Sequence, residues 1–224
     1  MKRGVFIAGT DTGVGKTLIG SALLHAYASA GFKAVGMKPV SAGCDEQGHN
    51  EDVDALRAAS GVEVPLAQSC VYLLREAIAP HIAAAQGNIQ IDLRQIERAY
   101  ASLRSQAEAV VVEGVGGFRV PLNETEDSAD LAQRLGLPVV LVVGMRLGCL
   151  NHALLTQEAI EARGLRLAGW VANRIDPAMR RAEENLMALK ERLAAPLLAD
   201  VPHLESPNAK AVAGLFNLGA LRLV

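Results

Sequence analysis

Val5-Phe6-Ile7-Ala8-Gly9-Thr10-Asp11-Thr12-Gly13-Val14-Gly15-Lys16-Thr17 is the stretch from which the rest of the chain is read. A short apolar run with strand character enters a glycine-rich turn. The turn ends in Gly-Lys-Thr and opens onto a helix-forming segment from Leu18. Glycines let the backbone turn sharply and aim successive N–H groups at one point, and the start of a helix adds unpaired N–H groups of its own. Such a concavity suits phosphate oxygens, with Gly13, Val14 and Gly15 supplying backbone, Lys16 placed for the β- and γ-phosphates and Thr17 for Mg²⁺. Gly9 and Gly15 have five residues between them, one more than the usual P-loop spacing of about four. Strand, turn, Gly-Lys-Thr and helix nevertheless come in the order that nucleotide binding requires.

The 224 residues carry 50% hydrophobic and 21% charged side chains, as expected of a soluble globular domain with a sizeable core. The expectation is a single P-loop domain over residues 1–224. A net charge of −2 gives no field to attract nucleic acid or an anionic membrane. No apolar run approaches the roughly 18 residues that span a bilayer. Lys2 and Arg3 precede too short an apolar stretch for a secretory leader, and that stretch is needed as the first strand. Cys44, Cys70 and Cys149 are odd in number and widely spaced, which fits neither a disulfide framework nor a zinc site and points to the cytoplasm.

Strands and helices alternate along the chain. A helix from Leu18 to Ala30 is stopped by Gly31, and Ala34 to Met37 forms a second strand ending at Lys38-Pro39. A polar loop from Ser41 to Glu51 leads to a short helix carrying Asp52 and Asp54. Residues 62–91 are the least periodic, with only Ile78 to Ala85 weakly helical. Asp92 caps a helix to Ala107, and Ala109-Val110-Val111-Val112 then leads to Glu113 as a strand buried on both faces. Helices from Ser128 to Leu135, Leu150 to Arg163 and Pro177 to Leu193 alternate with strands at 138–144, 167–172 and 197–201, and a short helix follows Ser206. Such alternation predicts an α/β fold, a mainly parallel sheet with helices on both faces.

Ligands of parallel sheets bind at the carboxyl ends of the strands, so the residues just after each strand share one rim. There stand the P-loop, Lys38, Glu113-Gly114-Val115-Gly116-Gly117, Gly148-Cys149-Leu150-Asn151-His152, Asn173-Arg174 and Pro202-His203-Leu204. Thr17, Asp54 and Glu113 offer oxygen ligands for Mg²⁺, phosphate and water completing the shell. His25 and His81 read as packing or surface residues and His49 as solvated. His152 and His203 lack metal-ligand spacing and keep contact roles at most.

These motifs together closely resemble the dethiobiotin synthetases, ATP-dependent enzymes of biotin synthesis. The matching segments are Gly9 to Thr17, Lys38-Pro39-Val40, Asp54-Ala55-Leu56, Pro80-His81, Glu113 to Gly117, Leu147 to His152 and Gly169 to Asn173, with a weaker match from Pro196 to Pro202. The resemblance implies a single-domain P-loop enzyme using ATP, Mg²⁺, CO₂ and 7,8-diaminopelargonic acid. One amine takes up CO₂ as a carbamate, whose oxygen attacks the γ-phosphate; the second amine then closes the ureido ring and expels phosphate. It also implies that Lys38 stabilises the carbamate and the transferring phosphoryl group, that Thr12 lies beside the carbamate, and that Ser41 contacts substrate. By the same resemblance, Gly148 to His152 would receive the substrate carboxylate from across a homodimer interface. Asn173, Arg174 and the segment Pro202 to Leu204 would hold the adenine. Ala42 stands where family members often carry a hydroxyl and Gly13 where some carry an acid, so no side-chain role passes to either.

A P-loop partitioning or targeting ATPase is the alternative, but such switches usually carry a second lysine early in the loop, where this chain has Thr10, Asp11 and Thr12. An amide ligase of the cobyrinate type normally adds a glutaminase domain, for which 224 residues leave no room.

Overall fold

β1 (Arg3–Gly9) runs through the middle of a six-stranded sheet in the computed structural model, which describes residues 3–221. Lys2, used above against a leader, lies outside the described residues. In chain order there follow α1 (Lys16–Ser29), β2 (Ala34–Met37), β3 (Val40–Ala42), α2 (Glu51–Ala59), α3 (Leu66–Ser69), β4 (Tyr72–Leu74), α4 (Pro80–Gln86) and α5 (Leu93–Gln106). Then come β5 (Ala109–Glu113), α6 (Ser128–Leu135), β6 (Val139–Gly144), α7 (Cys149–Ala162), β7 (Leu167–Asn173), α8 (Ala182–Arg192), β8 (Leu197–Val201) and α9 (Ala209–Ala213), before a 3₁₀ turn at Leu218–Ala220.

The sheet order is β2-β5-β1-β6-β7-β8, and every neighbouring pair is parallel. The chain leaves β1 toward β2 on one side and reaches β6 on the other, so the winding reverses at β1, where the crevice for a ligand opens. Alternate side chains feed two core layers, as the two-residue period of a strand requires. Val5 and Ile7 pack with Ile19 and Leu23 of α1, Leu56 of α2 and Val212 of α9. Phe6 and Ala8 face the opposite layer with Ile96 of α5, Leu131 of α6, Ala153 of α7 and Leu189 of α8. Burying each large apolar side chain contributes about 1.5–3 kcal/mol relative to exposure.

Local signals start the helices. Asp92 caps α5 by accepting from Arg94 N (2.9 Å), and Leu93, Ile96, Tyr100 and Leu103 form its inner stripe. Asp127 and Asp130 make a reciprocal capping box on α6. α8 begins later than its periodicity predicts. Arg181 takes a left-handed backbone (φ 57°), so residues 177–180 form turns and the helix starts at Ala182. Within residues 62–91 lie α3, α4 and β4, the last pairing with β3 as a separate parallel ribbon. Three-residue strands carry too little period to be read from sequence.

Candidate active site

Gly15 starts α1 in the left-handed region (φ 91°), and no side chain caps the helix. The first N–H groups of α1 therefore face the loop unclaimed, as an anion site requires. Asn173, at the end of β7, donates its side-chain amide to Val14 O at 2.8 Å and fixes the loop from below. A Cβ on residue 15 would lie 2.2 Å from that amide nitrogen. Lys16 Nζ donates to Asp11 O at 3.1 Å, so the P-loop holds its own lysine. Burial lowers that amine to about 8; Glu113 opposes the shift and Lys38 adds to it.

Beside the loop the structure assembles a compact cation cage. Thr17 Oγ1 donates to Asp52 Oδ1 at 2.5 Å and lies 3.0 Å from Glu113 Oε1. Lys38 Nζ donates to Asp52 Oδ2 at 2.9 Å and to Glu113 Oε1. Burial pushes the Glu113 carboxyl above its ordinary range, against the pull of Lys38. Burial would lower the Lys38 amine, but the charges of Glu113 and Asp52 outweigh it and hold the amine above its usual value. Asp52 also feels burial, which would raise it. The charge of Lys38 and the hydrogen bond from Thr17 nevertheless leave it below the usual carboxylate range.

A magnesium ion fits these donors. All are hard oxygens, and Glu113 Oε2 is buried with no hydrogen-bond partner. Among the described residues no group of three or more His, Cys, Asp or Glu is poised to hold a metal unaided. An ion here would therefore need phosphate oxygens and water as well, as Mg²⁺ ordinarily does.

Asp54 is not in the cage, and the expectation that it faces the metal is corrected. Two residues along a helix turn by about 200°, so Asp52 and Asp54 cannot share a face. Asp52 meets Thr17, whereas Asp54 points outward beside His49 Nδ1 at 3.4 Å. The only sequence sign was that both acids follow Asn50, which caps α2 by accepting from Val53 N.

A cavity of about 880 Å³ runs from the P-loop past the cage. Thr12, Gly13, Gly15, Lys16, Thr17, Lys38, Ser41, Glu113, Val115 and Gly116 all line it. Val14 is buried beneath the loop, and Gly114 sits on the Phe6 ring below the rim. Ser41 is buried and spends its hydroxyl on Asn50 Oδ1 at 2.9 Å. Arg174 is bound to Asp200 (2.7 and 2.8 Å) and to Glu183 (2.6 Å). Its hydrogen bonds to Asp200 and then to Glu183 raise its pKa. His203 Nδ1 lies 3.2 Å from Arg174 O, and Pro202 and Leu204 flank it. Asn173, Arg174, Pro202, His203 and Leu204 do not line the cavity, nor does any residue from Gly148 to His152.

Sequence reasoning missed Asp52, Asp11, Arg146, Arg119 and the wall formed by Ala77 to Pro80. Arg146, after β6, holds the Asp11 carboxylate, whose other oxygen accepts from Thr12 N. Arg119 lines the cavity and pairs with the buried Asp127. Nothing in spacing or period marks these contacts, which join loops from distant strands.

Sheet order, P-loop and cation cage define a P-loop nucleotide-binding protein with a cavity that runs from the P-loop past the cage. A family model described as "AAA domain" matches residues 3–211. The ATP-dependent dethiobiotin synthetase BioD of Aromatoleum aromaticum is 57% identical over 219 residues, covering 96% of this chain and 97% of that protein. The protein of the same name from Nitrosospira multiformis is 52% identical over 221 residues, covering 99% and 97%. The chain belongs to the ATP-dependent dethiobiotin synthetase family. Among solved structures, the septum site-determining protein MinD of Pyrococcus horikoshii, complexed with Mg-ADP, aligns with a TM-score of 0.61 and 18% identity, covering 96% of this chain and 94% of that one. Cobyrinic acid a,c-diamide synthase of Mycobacterium smegmatis, with an ATP analogue and magnesium, aligns at 0.59 and 17%, covering 96% and 92%. At such identities the likeness is one of fold.

Proposed function

We propose that the protein carboxylates 7,8-diaminopelargonic acid with CO₂ and closes the ureido ring of dethiobiotin, driven by conversion of ATP to ADP and phosphate. The observation that carries this reading is the continuous cavity. It has room past Lys16 for a second reactant, between Lys38, Ser41, Thr12 and Gly116.

In this reading the P-loop amides and Lys16 hold the β- and γ-phosphates, and Thr17, Asp52 and Glu113 would hold Mg²⁺. Magnesium, when bound, neutralises charge on the transferring phosphoryl group. Lys38 and Thr12 hold the carbamate so that its oxygen lies in line with the γ-phosphorus. Positioning and charge stabilisation of this kind are most of what phosphoryl transfer asks of a protein. ADP departs, and the second amine attacks the carbamoyl carbon and releases phosphate. Asn173, Arg174 and the segment Pro202 to Leu204 border the adenine, the Arg174 pairs keeping that edge rigid.

The site is completed across a homodimer in this account. α7 begins at Gly148 (φ 96°) with no side-chain cap; Cys149 N is taken by Arg146 O at 3.0 Å, and the N–H groups that follow it suit a carboxylate. It buries only Cys149, Ala153 and Ile160, while Leu147 is 93% exposed and Leu155 stands in solvent. A second copy covering this face would bring Gly148 to His152 to the partner's cavity. No helix among the described residues is long and apolar enough to cross a membrane, and the three cysteines are free, which suits a reducing cytoplasm. The test is ADP release with and without the diamine and bicarbonate. Release that needs both supports the reading, and release that ignores both overturns it.

A further inference from the structure

We propose that the Lys38 ammonium is the resident counter-ion of the Asp52–Glu113 cage, and that the divalent cation arriving with the nucleotide takes its place and sends the amine into the cavity. This rests on the assignment of that cage as the metal site. The observation is one of shared oxygens. Glu113 Oε1 faces both Lys38 Nζ and Thr17 Oγ1, and the two oxygens of Asp52 are divided between the same pair. An ion coordinated by Thr17, Asp52 and Glu113 would lie where the ammonium now makes both its contacts.

Charge decides that the two do not coexist there. Glu113 is 1% exposed and Lys38 4%, so the pair is shielded from water. The buried Glu113 carboxylate without a cation would be costly in such surroundings, with the half-exposed Asp52 adding a second negative charge beside it, and the lysine removes that cost in the metal-free protein. Adding a divalent ion would set three positive charges against two negative ones at a few ångströms, with Lys16 also near. The lysine has a four-carbon stem and lines the open cavity, so it is the group free to leave. Its new partners are the anions of the loaded site, the γ-phosphate and the carbamate. Metal alone must evict the lysine without offering it another partner, whereas metal with nucleotide supplies one. Metal and nucleotide therefore bind with positive coupling, and the amine reaches the reacting groups only when both are present.

The experiment is a Mg²⁺ titration by calorimetry on nucleotide-free protein, repeated in the presence of a non-hydrolysable ATP analogue that keeps the γ-phosphate, for wild type, Lys38→Met and Lys38→Arg. Mn²⁺ binding followed by electron paramagnetic resonance serves as a second probe. Removing the resident cation should tighten metal binding without nucleotide by about tenfold or more and shrink the coupling to the ATP analogue. Lys38→Arg, which keeps the charge, should show no tightening. Unchanged or weaker metal binding in a folded Lys38→Met overturns the proposal. Should that variant not fold, a wild-type structure with Mg²⁺ and the non-hydrolysable ATP analogue decides. Lys38 Nζ beyond hydrogen-bond reach of at least one of the two carboxylates supports the exchange, and both contacts kept beside a seated metal refute it. No diamine or bicarbonate enters these measurements, so their outcome is separate from that of the ADP-release test.

Discussion

Thr17 and Asp52 stand 35 residues apart in the chain and 2.5 Å apart in space, hydroxyl to carboxylate. The contact joins the start of the P-loop helix to α2 and sets the position of the metal cage. Asp52→Asn should weaken metal-dependent turnover by roughly 10- to 100-fold or more, the range seen when groups around a metal are altered. Asp54→Asn, on the outward face with His49, should stay within about twofold of wild type, as surface changes away from such features usually do. Mg²⁺ titrations of turnover in the two variants check this, and equal losses would contradict it.

Lys16 is held at about 8, against an ordinary 10.5. Its charge is therefore partly lost in the free protein just above neutrality, while bound phosphates favour the charged form. Nucleotide affinity should fall as pH rises through about 8 to 9, and binding there should take up a proton. Calorimetry in buffers of different ionisation enthalpy measures the uptake, and Lys16→Met should bind weakly and without it. The same shift has a stability sign. Between about 8 and 10.5 the unfolded chain binds more protons at this site than the folded one, so Lys16's contribution to stability rises with pH in that window.

Gly15 combines a left-handed backbone with the Asn173 amide pressed against it. Gly15→Ala should cost about 1–2 kcal/mol from backbone strain alone, and more from the overlap. Nucleotide binding should be lost before the fold is. Asn173→Ala removes the clash partner and also a hydrogen bond worth about 1 kcal/mol, so the double variant should recover stability only in part. Thermal melts with and without Mg-ADP read both effects.

Much of this was legible in the residues. The apolar run before Gly9 and the β-branched run before Glu113 read as buried strands because both sheet faces are covered. Thr17, Lys38 and Glu113 could be placed on one rim because strand ends share a rim. The choice between Asp52 and Asp54 was not legible, since two acids on a short helix differ only in facing and the helix start fixes the facing. Arg146 and Arg119 were invisible for a different reason. Each meets an acid across a loop, and loop contacts leave no period in the chain. β3 and β4 escaped because three residues cannot show alternation.

If one subunit's α7 completes the other's cavity, two defective chains can repair each other. Asn151→Ala should raise KM for the diamine more than for ATP. Mixing Lys38→Met with Asn151→Ala chains should restore about a quarter of wild-type turnover, because half the dimers are mixed and one of their two sites has both side chains. Activity that never exceeds the sum of the separate variants would place both residues in one chain's site.

The claim on which all else turns is that the P-loop delivers the γ-phosphoryl group to an oxygen that came from carbon dioxide. Turnover with oxygen-18-labelled carbon dioxide, followed by mass spectrometry of the released phosphate, tests it most directly. The account predicts phosphate carrying a single labelled oxygen, transferred when the ring closes. Unlabelled phosphate, released just as fast, would mean that water is the acceptor and would contradict it.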